Sequence, residues 1–91
     1  PGELIKDEIE YRGISQRKLA LQMGVSPTLL NEILNGKRSV STEYALLLEA
    51  ALGIDAEVWI RQQARYDMQM AKSDISFLER LAHIRKIAAV L

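Results

Sequence analysis

Cysteine is absent from the 91 residues, and histidine occurs only once. Disulfide bonds, thiolate zinc sites and cysteine nucleophiles are therefore excluded. Aromatic residues make up 5% of the chain, so its core has to be built from aliphatic side chains and methionine. No apolar run approaches the roughly 18 residues that span a bilayer, and no signal peptide is visible. We therefore expect a small soluble domain in the cytoplasm, without a membrane partner.

Net charge is also missing, because 12 lysines and arginines balance 12 aspartates and glutamates. This balance disfavours both a polybasic protein that coats nucleic acid and an acidic solvating tail. Apolar residues form 48% of the chain, which is a globular composition. A chain of this length forms one compact domain rather than two.

The apolar residues repeat with helical spacing, and no stretch alternates strictly enough to predict a strand. We expect an all-α fold in which five helices form one bundle and a sixth forms a C-terminal arm. The fourth helix is apolar almost all round, so it should be the buried one. Capping residues and glycines delimit the helices. The predicted caps are Ser15, Ser26, Ser41 or Thr42, Asp55 and Ser76, and the predicted stops are Gly13, Gly24, Gly36 and Gly53.

The sixth helix carries an apolar stripe with four- and three-residue spacing, formed by Phe77, Leu81, Ile84, Ala88 and Leu91. At its start, Ser76 and Glu79 have the spacing of a capping box. A stripe of this kind is not stable in water by itself. We expect it to pack on its own bundle, on a second copy of the chain or on another protein, and the sequence leaves these three open.

The segment from residue 15 to residue 38 indicates a function, because it contains two short capped helices joined by a tight turn. Gly24 supplies the left-handed backbone conformation that the turn needs. Val25 fills the corner between the helices, and Ala20 allows them to cross closely. This pattern predicts a helix-turn-helix, in which the first helix lies across the DNA backbone and the second enters the major groove.

The outward side of the second helix carries the candidate base contacts. Asn31 can pair with adenine, and Thr28 can bind a base edge or a phosphate. Leu29 is either a contact to a thymine methyl group or an incidental exposed apolar residue. Glu32 either accepts a hydrogen bond from cytosine or is an ordinary solvated residue. The predicted DNA contacts are Gln16, Arg17, Lys18, Ser26, Pro27, Thr28, Leu29, Asn31, Glu32, Lys37 and Arg38.

Charge is distributed unevenly in this segment, which has four basic residues and one acid, Glu32. Backbone N–H groups behind Ser26 and the basic side chains can both contact phosphates. No nucleophile with a matching base, no carboxylate cluster and no glycine-rich phosphate loop is visible. His83 stands alone, without a second metal-ligating residue near it. We therefore expect that the protein is not an enzyme and that it binds no metal and no cofactor.

The residues of this segment resemble the lambda-repressor-like (XRE) helix-turn-helix family, and more narrowly the HigA (VapI) antitoxins. The resemblance covers about residues 2–72 and rests on the run 24–26, the run 33–38, the helix 41–48, and Trp59 with Tyr66-Asp67. It implies a lambda-repressor-like bundle and a homodimer that binds palindromic double-stranded DNA and represses its own operon. It also implies an antitoxin that neutralises an mRNA endonuclease of the RelE type.

The same resemblance bears on the fifth helix and on the division of the chain. Trp59, Tyr66 and Met70 share one face of that helix, and they form either the closing layer of the core or a two-fold dimer interface. We expect a DNA-binding domain with a dimerisation helix over residues 1–72 and an arm over residues 73–91. Two alternatives remain: a stand-alone helix-turn-helix regulator without a toxin, and a protein-interaction module.

Overall fold

Six helices joined by short turns make up the whole chain. The structure is a computed structural model, and it describes residues 1–91. The helices are α1 (Gly2–Arg12), α2 (Gln16–Met23), α3 (Pro27–Leu34), α4 (Thr42–Leu52), α5 (Ala56–Lys72) and α6 (Ile75–Ala89). The all-helical fold with six helices and no strand, predicted from the apolar spacing, is confirmed.

The core is a single cluster of 14 buried apolar side chains from α1 to α5 and the loop before α4. Trp59 of α5 is fully buried and is among its largest members. Helix α4 contributes Ala45, Leu48 and Leu52, but its Leu46 is 53% exposed. Helix α4, expected to be the buried helix, is therefore buried along one side, and its other side faces solvent.

Side-chain caps begin five of the helices. Ser15, Ser26, Ser41 and Asp55 each accept a hydrogen bond from a backbone N–H in the first turn that follows, as predicted. At α6 the prediction was wrong, because the cap is the carboxylate of Asp74, which accepts from the N–H of Phe77. Asp74 comes two residues before Ser76, so the helix starts earlier and Ser76 lies inside its first turn.

Helix α6 and the end of α5 leave the bundle as an arm. α6 packs against α5, and none of its residues is buried. The arm gives the molecule an elongated outline of 56 × 21 × 21 Å. The bundle buries no residue of the α6 stripe, and which of the three expected destinations the stripe takes stays a prediction. None of the six helices combines the length and the apolar character needed to cross a membrane.

Candidate nucleic-acid interface

The turn between α2 and α3 is held by backbone geometry and by two serine caps. Gly24 adopts φ 70° and ψ 26°, a left-handed conformation that glycine reaches without strain. The N–H of Val25 donates to the carbonyl of Ala20 at 3.0 Å, and the Val25 side chain packs on the core. Ala20 is fully buried where the helices cross. The turn and the corner residue were predicted correctly, and the burial of Ala20 is consistent with the predicted close crossing.

The start of each of these helices is capped in the same way. The Ser15 hydroxyl accepts from the N–H of Lys18, and the Ser26 hydroxyl accepts from the N–H of Leu29, both at 3.1 Å. Both helix starts border one surface groove, whose lining includes Arg17, Lys18 and Pro27. The positive ends of two helices and two basic side chains therefore meet on this surface.

The outward edge of α3 is open to solvent at Pro27, Thr28 and Asn31, all of which are exposed. Leu29 is different, because its side chain is half-buried and packs against the core. The description of Leu29 as an exposed leucine is therefore corrected: part of its surface stabilises the bundle. The edge available for base contacts is thus the one that runs through Thr28 and Asn31.

Glu32 has an ion-pair partner that the sequence analysis did not predict, and its role towards DNA stays a prediction. Its carboxylate accepts a hydrogen bond from Arg38 Nε at 3.0 Å, and its side chain is 34% exposed. Its backbone carbonyl accepts from the N–H groups of Lys37 and Arg38 at 2.8 and 3.3 Å. Glu32 therefore fastens the loop after α3 to the helix and pairs with one of the basic residues predicted to contact phosphates.

The remaining basic residues of the segment keep their charge unpaired. Arg17, Lys18 and Lys37 are exposed, and none of the four ion pairs of the chain includes them. They lie at the start of α2 and just after α3, on either side of the Thr28–Asn31 edge in the sequence. The segment therefore keeps three cations without an ion-pair partner, and two of them, Arg17 and Lys18, line the groove that Pro27 of α3 also lines.

A chain of hydrogen-bonded side chains crosses this surface. Lys6 Nζ donates to Asn35 Oδ1 at 3.2 Å, and Asn35 Nδ2 donates to Asn31 Oδ1 at 3.1 Å. Asn31 Nδ2 in turn donates to Gln16 Oε1 at 3.4 Å. The structure thus links two predicted contacts, Gln16 and Asn31, to Lys6 and Asn35, neither of which was predicted as a contact. Helical spacing of Asn31 and Asn35 was the one signal that could have indicated Asn35.

Of the three residues proposed for a dimer interface, Trp59 does not face solvent. It is 0% exposed and belongs to the core, whereas Tyr66 is 40% and Met70 is 56% exposed. The dimer-interface prediction for Trp59 is therefore corrected. Tyr66 continues the same helix face and borders a surface pocket that Gly36 and Arg38 also line. Met70 lies about one turn further along α5.

Gln63 is a buried polar residue that the sequence analysis did not single out. Its Oε1 accepts from the N–H of Val40 at 2.8 Å, and its Nε2 donates to Asp67 Oδ1 at 2.8 Å. It lies four residues after Trp59, so its helical spacing placed it on the buried face. This side chain ties the loop after α3 to α5.

The geometry of the interface and the comparison with known proteins indicate the same class of protein. The model of the helix-turn-helix family HTH_3 matches residues 5–59, which include the turn at Gly24 and the edge of α3. The chain belongs to this helix-turn-helix family, of the XRE type. The fold and the interface thus define a DNA-binding regulator.

Three relatives place the chain more narrowly beside the HigA antitoxins. Virulence-associated protein I of Dichelobacter nodosus is 37% identical over 75 residues, which are 81% of this chain and 69% of that protein. An addiction module antidote protein of the HigA family from Coxiella burnetii is 32% identical, with a TM-score of 0.78 and coverage of 88% of this chain and 89% of that one. The antitoxin HigA of Pseudomonas aeruginosa, solved with the higBA promoter, is 27% identical, with a TM-score of 0.81 and coverage of 91% and 89%.

Proposed function

We propose that the chain is a homodimeric repressor that binds a palindromic operator through the Thr28–Asn31 edge of α3. The observation that supports this most strongly is the exposed polar edge of α3 in a segment that carries three unpaired cations. In the major groove, the amide of Asn31 can pair with the N6 and N7 of adenine, and Thr28 can reach a neighbouring base or phosphate. A cytoplasmic location follows from this role, since bacterial operators lie there.

Phosphate contacts would fix the position of α3 in the groove. Arg17, Lys18 and Lys37 supply charge, and the N–H groups of the first turn behind Ser26 and Pro27 supply further donors. Arg38 joins this set as well. Its Nε pairs with Glu32, but the guanidinium group carries further N–H donors. Each such contact strengthens binding to every sequence, so the base preference depends on the α3 edge.

A dimer explains why α5 extends beyond the bundle. Tyr66 and Met70 prolong the face of Trp59, and no part of the chain covers them fully. A two-fold pairing through this face would bury them, and a dimer that reads two half-sites in this way needs its α3 helices about 34 Å apart, one turn of DNA. Binding of two half-sites raises affinity without any new contact within a half-site.

We propose further that the chain is the antitoxin of a toxin–antitoxin module, that it represses the operon that encodes it, and that it neutralises a RelE-type mRNA endonuclease. The likeness to HigA-family structures supports this. In this scheme, residues 1–72 bind the operator and the second copy, and residues 73–91 form an arm whose apolar stripe contacts the toxin or the second copy.

A salt titration of binding to the DNA upstream of the gene tests the repressor. We expect a preference for that DNA over scrambled duplex, with affinity that falls steeply with salt because counterions are released from the phosphates. Equal affinity for both duplexes at every salt concentration would contradict the proposal.

Co-purification with the product of the neighbouring gene tests the antitoxin role. A stable complex that abolishes the mRNA cleavage of that product is the expected result. If no complex forms while operator binding persists, the chain is a stand-alone regulator without a toxin partner.

A further inference from the structure

The hydrogen-bonded chain from Lys6 to Gln16 has a fixed direction. Asn35 and Asn31 each accept through the oxygen on the Lys6 side and donate through the nitrogen on the Gln16 side, and Gln16 at the end accepts through its oxygen. A chain of amides could run either way, because the two ends of an amide group have nearly the same shape. The direction therefore has to be imposed by a group at one of its ends.

Lys6 sets the direction of the hydrogen-bonded chain, since an ammonium group has three donors and no acceptor. The Oδ1 of Asn35 must face Lys6, so its Nδ2 faces Asn31. A second restraint acts in the same direction, because Asn35 Nδ2 also donates to the backbone carbonyl of Asn31 at 2.9 Å. The side chain of Asn35 is thus fixed at both ends, and it holds the Asn31 amide with its oxygen towards Asn35 and its nitrogen towards Gln16.

We propose that Lys6 and Asn35 are positioning residues that set which way the Asn31 amide meets the bases. This inference rests on the proposed function. Asn31 keeps one N–H and one oxygen lone pair unused, which are the donor and acceptor that adenine N7 and N6 require. Gln16 keeps both N–H donors, so its outward end suits an acceptor such as a phosphate oxygen. Lys6 therefore acts on base preference from α1, outside the helix-turn-helix.

Two substitutions test the hydrogen-bonded chain and leave Asn31 itself unchanged. In Asn35→Asp the Nδ2 donor is lost and a carboxylate faces the Asn31 oxygen, so the Asn31 amide turns over. We expect the preference of this variant for the base pair that Asn31 contacts to fall about tenfold, within the range for loss of a bidentate contact. In Lys6→Met the donor that sets the direction is lost, and we expect a fall of about threefold. Lys6→Arg keeps a donor-only group and should restore the wild-type preference.

Lys37→Met is the matched control, because it removes the same charge from the same surface but lies outside the amide chain. It should weaken binding to all duplexes by one common factor. The measurement is Kd of the full-length protein for operators substituted one base pair at a time, with folding checked by circular dichroism.

Uniform weakening by Lys6→Met and Asn35→Asp, with the wild-type base preference intact, would overturn this inference alone. A wild-type protein with no base preference would instead contradict the proposed function.

Discussion

At the scale of single residues, Asn31 is the side chain on which base recognition depends most. Asn31→Ala removes a bidentate donor and acceptor, so we expect it to weaken operator binding by about 1–3 kcal/mol. The loss should be confined to one base pair in each half-site, and operators changed at that pair should no longer be discriminated. Competition binding with single-position operator variants measures it. Equal loss on operator and scrambled duplex would show that Asn31 does not read a base.

For a substitution of Glu32 we predict the opposite effect on the affinity for DNA. Its carboxylate repels phosphates and pairs with Arg38, so Glu32→Gln adds net positive charge and releases a cation. We expect several-fold tighter binding to operator and scrambled duplex alike, with a steeper dependence on salt. A loss of affinity restricted to operators with cytosine at one position would show that Glu32 reads that base, which contradicts the account.

Residue identity and helical spacing were enough to predict which residues cap, turn and point outward near Gly24. They were not enough at Leu29 and Trp59. Leu29 lies on the outward side of α3 by spacing, but neighbouring helices cover it partly, and a single helix carries no information about its neighbours. Trp59 and Met70 share one face of α5. Trp59 is buried and Met70 is exposed, because the other helices of the bundle cover only the first part of that face.

At the scale of helices and loops, Gln63 connects the loop after α3 to α5. Gln63→Leu would leave the buried N–H of Val40 without a partner, which costs about 1–3 kcal/mol of the free energy of unfolding. Urea unfolding measures this, with Gln62→Leu as the control because Gln62 is its half-buried neighbour. If both variants are equally stable, the Gln63–Val40 bond does not stabilise the loop.

Helix boundaries show where local sequence decides a structure and where it leaves a choice. Ser15 and Ser26 were predicted as caps because each is the one suitable side chain just before its helix. Before α6, both Asp74 and Ser76 can cap, and the capping-box spacing favoured Ser76. The structure begins the helix after Asp74, and this cap makes α6 two residues longer than a cap at Ser76 would.

At the scale of the whole molecule, the projecting end of α5 provides a test of the dimer. Met70→Asp places a charge on the face of Tyr66 and should convert the dimer to a monomer, with much weaker operator binding but unchanged base preference. Sedimentation velocity measures the assembly.

Met68→Asp is a closely matched control. Met68 and Met70 are 57% and 56% exposed, but two residues along a helix correspond to about 200° of rotation, so Met68 lies on another face. Dissociation by both variants, or by neither, would contradict an interface at the Tyr66–Met70 face.

The central claim is that the Thr28–Asn31 edge meets the duplex, and the most direct measurement is a titration of the ¹⁵N-labelled protein with operator DNA followed by NMR. The account predicts that the largest shifts occur at Thr28, Asn31 and the side-chain amide of Gln16, while Leu46 on the exposed side of α4 is unchanged. Shifts centred on α4, with the edge of α3 unaffected, would contradict it.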